Sequence, residues 1–122
     1  MPFILSKVST PISAEQEVSL KKGLGKAISL IPGKSEEYLL CEFEDNCRLW
    51  LRGEHDEPIA YITVSIFGNE PHIGNDRFFS EVTRLYGEVL GIPADRVYIK
   101  YDDISVWGVN GMAIDRRAWR QL

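Results

Sequence analysis

The first residue able to do chemistry is the second of the chain, in the opening MPFILSKV. An initiator methionine is normally trimmed when the next residue is small, and proline qualifies. Trimming would leave Pro2 with a secondary amine in place of an amide nitrogen. A free α-amino group has a pKa near ~8. On a strand in an apolar pocket it would lose hydration, and desolvation disfavours the charged ammonium. Such an amine is partly neutral at pH 7 and can take a proton. Pro2 therefore reads either as a general base or as the proline that a strand start tolerates. Other reactive side chains are sparse. Cys41 and Cys47 stand six apart without Cys or His partners at metal-ligand spacing, and they read as buried or inert free thiols. His55 and His72 lie in loop-like stretches beside acids or proline, again without ligand spacing, and read as exposed.

The elements that must position Pro2 come from an internal duplication with a period of 58 residues. PFILSKVS at 2–9 and AYITVSIF at 60–67 are both short, β-rich apolar runs. GKSEEYLLCEFED at 33–45 aligns with GIPADRVYIKYDD at 91–103, matching Gly33 to Gly91 and Phe43 to Tyr101. Between these runs, Leu20, Leu24, Ala27, Ile28 and Ile31 follow amphipathic helical spacing. The same offsets recur at Phe78, Val82, Leu85, Tyr86 and Val89. Ser13 with Gln16 fits a capping box, and Asn75 followed by Asp76 fits an N-cap with a first-turn acid. Gly33 and Gly91 fit C′ positions. The spacing predicts strands over 2–8, 38–44, 58–67 and 96–101 and helices over 14–31 and 76–90. The repeats cover about 2–50 and 60–108 of a single domain, 1–122. The fold class is α/β (α+β): a two-layer sandwich of a duplicated βαβ unit, with two helices on one face of a four-stranded mixed sheet. Arg48-Leu49-Trp50 and Val106-Trp107-Gly108 follow strands two and four in parallel places and read as short extra edge strands.

Strands one and three are apolar on both sides, with Phe3 and Leu5 opposed to Ile4, so the face away from the helices also needs cover. A closed homo-oligomer, as a ring of three, would supply it. The chain has 122 residues, 44% of them hydrophobic, enough for a core. A net charge of -4 and a pI near 5.2 argue against nucleic acid as the main partner. No stretch reaches the ~20 apolar residues of a membrane span, and no signal peptide is visible, which makes the cytoplasm the default compartment.

Taken together, the Met-Pro start, the duplicated βαβ unit, Gly33-Lys34, Glu57-Pro58, and Asp95-Arg96-Val97-Tyr98-Ile99 followed by Tyr101-Asp102 resemble the macrophage migration inhibitory factor family of the tautomerase superfamily. The resemblance covers about residues 2–111. It implies a homotrimer with active sites between adjacent subunits, and a keto–enol tautomerase acting on phenylpyruvate-like acids and dopachrome analogues. Pro2 would be the catalytic base. Lys34 would bind the carboxylate or enolate oxygen of a small 2-keto or enol acid, and the backbone amide of Phe67 would help bind it. Tyr38 and Tyr98 would line the pocket, Tyr98 from the neighbouring subunit. No metal or organic cofactor is implied.

Three positions depart from the family pattern. Lys100 stands where an asparagine is common, Val109 replaces the second tryptophan of an Asn-Trp-Gly-Trp-Asn-Gly stretch, and Ile114 replaces an aromatic residue near the end. With Lys100 and Val109 as substrate-binding residues, the pocket mouth would be more basic and less aromatic. The alternative reading implied by the family is a cytokine-like binding protein with weak or vestigial catalysis, a receptor protein as partner, and secretion without a leader.

Overall fold

Alternation builds the first strand. In β1 (Pro2–Val8) the residues Pro2, Ile4, Ser6 and Val8 face inward and are buried, while Phe3, Leu5 and Lys7 between them are half-buried on the other face. The computed structural model describes residues 1–120, with side chains described through Ala118. After β1 come α1 (Ala14–Ala27), a 3-10 turn (Ile28–Leu30), a second 3-10 turn (Glu36–Tyr38) and β2 (Leu40–Glu44). The second repeat gives β3 (Ala60–Ile66), α2 (Asn75–Leu90), a 3-10 turn (Ala94–Arg96) and β4 (Val97–Asp103). A hairpin of β5 (Val106–Val109) and β6 (Met112–Asp115) follows, and α3 (Arg116–Arg120) completes the described chain.

The four main strands form one mixed sheet in the order β2-β1-β3-β4. Each repeat contributes a parallel pair, β1 with β2 and β3 with β4. The two repeats join through antiparallel β1 and β3, from Pro2 opposite Ile66 to Val8 opposite Ala60. The core lies between sheet and helices: Ile4, Val8, Ile62, Val64 and Ile66 pack beneath Leu20, Leu24 and Ile28 of the first repeat and Phe78, Val82 and Tyr86 of the second, all fully buried. The periodic residues read from the sequence are thus the helix faces that make the core. The buried Tyr86 hydroxyl is hydrogen-bonded to Ser6, and burial pushes its pKa well above the usual tyrosine range.

The boundaries differ from the sequence expectation in several places. The Ser13–Gln16 capping box forms as read, with both reciprocal bonds present. α1, however, ends at Ala27 and tightens into 3-10 geometry through Leu30, so Gly33 lies beyond the helix and instead makes the next turn, at φ +76°. Gly91 does cap α2, in the left-handed conformation. Asn75 is not the N-cap. Gly74 holds that place at φ +82°, and the Asn75 side chain is buried beside the Tyr101 hydroxyl. β2 begins at Leu40 because the Glu36–Tyr38 turn takes the preceding residues, and β4 runs on to Asp103.

Residues 48–50 form no strand; Leu51 bridges Glu54 across a tight turn instead. Val106–Val109 is a strand, but it pairs with β6. The turn between them is Asn110-Gly111, at φ 52° and 74°, the dipeptide favoured where both central residues need positive φ. The outer face of the sheet is mixed. Phe3, Leu5, Leu40, Tyr61 and Tyr98 share it with Lys7, Glu42, Glu44, Lys100 and Asp102. No helix of the described residues is long and apolar enough to cross a membrane.

Gly74 shows how tightly the second repeat packs onto the first. A Cβ there would overlap the Leu30 carbonyl oxygen, and the positive φ adds strain for any L side chain. Gly74→Ala should destabilise the fold by about 2–3 kcal/mol, from left-handed strain and overpacking combined, read as a lowered midpoint in urea denaturation.

Candidate active site

Three chain segments meet at one end of the sheet. The first is the N-terminus. Because Pro2 pairs with Ile66, the residue before Pro2 lies against the end of β3, where the Phe67 N–H donates to the Met1 carbonyl at 3.3 Å. The second is the turn after α1: Ile31 is fully buried, and the Lys34 N–H donates back to its carbonyl at 3.1 Å, which closes Pro32 and Gly33 into a tight bend. The third is the start of the β3–α2 loop at Phe67 and Gly68. Gly68 has φ +95°, and a Cβ on it would stand 3.1 Å from Lys34 Nζ, so the bare backbone leaves room for the ammonium.

Together with Tyr38 and with Ile114 of β6, these segments enclose a cleft of about 350 Å³ lined by Met1, Pro32, Gly33, Lys34 and Phe67 as well. Tyr38 is held over it by the Glu36–Tyr38 turn. This turn docks on α1 at Gly25, where a Cβ would collide with the Glu36 carboxylate. A larger hollow of about 520 Å³ lies between the helices, lined by Lys26, Asp76, Arg77 and Glu81 among others; its charges are mixed, and neither the terminal amine nor Lys34 lines it.

The cleft changes the acidity of what it holds. The α-amine of Met1 is lowered from 8.0 to about 5, first because burial strips its hydration, then because the Lys34 charge opposes a second cation and Lys34 hydrogen-bonds to it. At pH 7 this amine is neutral, and its lone pair faces the Lys34 ammonium. With Met1 in place the Pro2 nitrogen is an amide, buried one residue behind the amine. An amine with lowered pKa, an adjacent cation and a backbone N–H can remove a proton and hold the resulting negative oxygen. Among the described residues no cluster of three or more His, Cys, Asp or Glu side chains is placed to hold a metal ion.

Of the residues singled out in the sequence, Lys34, Tyr38 and Phe67 come together in this cleft, with Pro2 directly behind. Tyr98, Lys100 and Val109 do not join them within one chain. Tyr98 is 52% exposed on the outer face of β4 and shares a separate hollow with Leu49, Trp50, Leu51 and Tyr61. Lys100 lies on the same face, 3.7 Å from Asp102. Val109 is exposed at the tip of β5. Ile114 is a cleft residue that the sequence reading noted as a departure without counting it in the site. The Asn110-Gly111 turn was the available signal, because it folds β6 back and brings Ile114 opposite Trp107. Cys41 and Cys47 are free thiols, and burial, then the nearby Glu36, pushes Cys41 up to about 11, which keeps it protonated and unreactive.

The duplicated βαβ sheet is shared with the macrophage migration inhibitory factor family of the tautomerase superfamily. The model of the macrophage migration inhibitory factor family matches residues 1–114, and the chain belongs to that family. A curated relative, the MIF-like protein mif-2 of Caenorhabditis elegans, is 26% identical over 93% of this chain and 95% of its own. Among solved structures, Leishmania major MIF2 superposes with a TM-score of 0.84 at 25% identity, covering 93% of this chain and 97% of that one. The macrophage migration inhibitory factor homologue of Prochlorococcus marinus gives 0.80 at 28% identity, over 91% and 97%.

Replacing the lysine separates the two causes of the amine's acidity. In Lys34→Gln the like-charge term vanishes while burial remains, so the amine pKa should rise from about 5 toward, but not to, its ordinary 8.0. The pH dependence of acylation of the terminal amine measures this directly; an unchanged midpoint would remove Lys34 from the electrostatics of the cleft.

Proposed function

We propose that the protein is a cofactor-free keto–enol tautomerase of small 2-oxo acids of the phenylpyruvate type, with the amino-terminal proline exposed by Met1 removal as general base. The observation that carries this reading is the half-buried terminal amine in the cleft beside Lys34, neutral at pH 7. Removing Met1 takes away the side chain that lines the cleft and the carbonyl that accepts from Phe67 N–H, and a substrate occupies that space. Burial and Lys34 act on the Pro2 amine in the same direction as on Met1.

In ketonisation, the neutral Pro2 amine takes the enol O–H proton. Lys34 and the Phe67 N–H hold the enolate oxygen, and the prolinium returns the proton to the neighbouring carbon. The reverse reaction takes the proton from carbon first. Lys34 also pairs with the substrate carboxylate, and Tyr38 covers the ring or chain.

The same reading assigns the outer sheet face to a homotrimer. The exposed Tyr61, Tyr98 and Trp50 support it, because an apolar group of this kind beside a sheet face is suited to burial by another copy. Tyr98, Lys100 and Val109 would reach the cleft from an adjacent subunit.

The test is the ketonisation rate of enol-phenylpyruvate at pH 7, with protein shown by intact mass to lack Met1. A rate about 100-fold or more above the buffer blank is expected for an engaged general base, falling to near the blank in a batch that retains Met1. In kcat/KM the acid limb should lie well below ~8, because protonation of the amine removes the base. A rate equal to the blank overturns the reading. Light scattering should give three times the 13.9 kDa chain mass.

A further inference from the structure

The loop between β3 and α2 begins at Phe67 and Gly68 in the cleft and ends at Gly74 against Leu30. Its middle is folded on one buried side chain. Asn69, 5% exposed, donates from Nδ2 to the Ile73 carbonyl at 3.1 Å and accepts from the Ile73 N–H at 3.3 Å. The His72 N–H donates to the Asn69 carbonyl at 3.1 Å, and the Asn75 N–H to the His72 carbonyl at 3.3 Å. These four bonds tie residues 69–75 into one turn structure. His72 sits in that unit at φ +59°, a left-handed conformation that few residues other than glycine adopt. Its ring stands edge-on to Tyr101, 5.2 Å between centroids, and its Nε2 lies 2.7 Å from Asp103 Oδ2. Asp103 is the last residue of β4 and pairs in register with Ile66, the residue before Phe67. A second tie runs from Glu70 to Arg116 at 3.0 Å, just beyond the strand that carries Ile114.

We infer that His72 and Asp103 are positioning residues of the cleft: their pair latches the loop to the end of β4 and so fixes where the Phe67 N–H and the Gly68 backbone stand relative to Lys34. Neither side chain lines the cleft. The inference rests on the proposed tautomerase reading for its kinetic consequence, but the latch itself is measurable without turnover. Half-exposed polar pairs contribute little to stability, so breaking this one should loosen the loop without unfolding the sheet.

The experiment uses the processed protein with His72→Asn and Asp103→Ala. Asparagine tolerates the left-handed conformation but is too short to reach Asp103. Two readouts are taken: amide exchange at His72, Ile73 and Asn75 by NMR, and the kinetics of enol-phenylpyruvate ketonisation. Expected are faster exchange at these amides in both variants, and about tenfold lower kcat/KM carried mainly by kcat, because the amide acts on the developing enolate. The double variant should be no worse than either single one, as for one broken pair. Unchanged exchange overturns the latch. Faster exchange with unchanged kinetics in an active wild type overturns the positioning role. An inactive wild type overturns the tautomerase reading and with it the kinetic half of the inference, leaving exchange to decide the latch alone.

Discussion

The cleft hangs on the antiparallel pairing of β1 with β3. That pairing is central in the sheet, with β2 outside β1 and β4 outside β3, so the first strand is held along both edges. A chain terminus is ordinarily a frayed, hydrated place where an amine keeps its usual acidity. Here Ile4 and Val8 are buried and Ser6 is tied to Tyr86, which holds the terminus against the protein so that its amine is partly stripped of water. Desolvation of the amine is therefore a consequence of core packing, and the hydrophobic burial of the strand offsets its cost.

The two turns that face the amine owe their shape to glycine. Gly33 carries the chain through φ +76° so that Lys34 can fold back onto Ile31. Gly68 presents bare backbone to the lysine ammonium. A third, Gly74, brings the second loop onto the end of the first helix closely enough that a single methyl group would be refused. The lysine and the Phe67 amide thus come from different repeats, and these close backbone approaches bring the two repeats together at the cleft. Ile114 closes the remaining wall from the hairpin.

Much of this was legible in the chain itself. The helix faces were visible as Leu20, Leu24 and Ile28 and their partners 58 residues on, because burial imposes a period that composition alone does not. The capping box was visible because its two bonds need two specific side chains three apart. Helix ends were harder: α1 tightens before its glycine, and an asparagine beside the α2 start went inward to Tyr101 while Gly74 took the cap. Both outcomes are tertiary packing overriding local preference. The resemblance supplied Lys34, Tyr38 and Phe67 as a set, and they share one cleft. Tyr98 and Lys100 lie on the outer sheet face, where alternation along β4 puts them, and within one chain they stay away from the cleft. The His72–Asp103 pair left no periodic trace, since it joins a loop to a strand end 31 residues later.

The duplication also explains why there is one amine–lysine cleft per chain. At the 58-residue offset, Pro2 corresponds to Ala60 and Lys34 to Ile92. Both counterparts are buried in the core, at 0% and 1% exposure. Ala60 is also preceded by continuous chain, so no terminal amine can exist there, and an ammonium at position 92 would have no water to hold it. The second repeat therefore keeps the strand–helix–strand frame and fills the equivalent place with apolar side chains. The two halves share sheet geometry and differ at these positions in covalent connectivity and side-chain polarity.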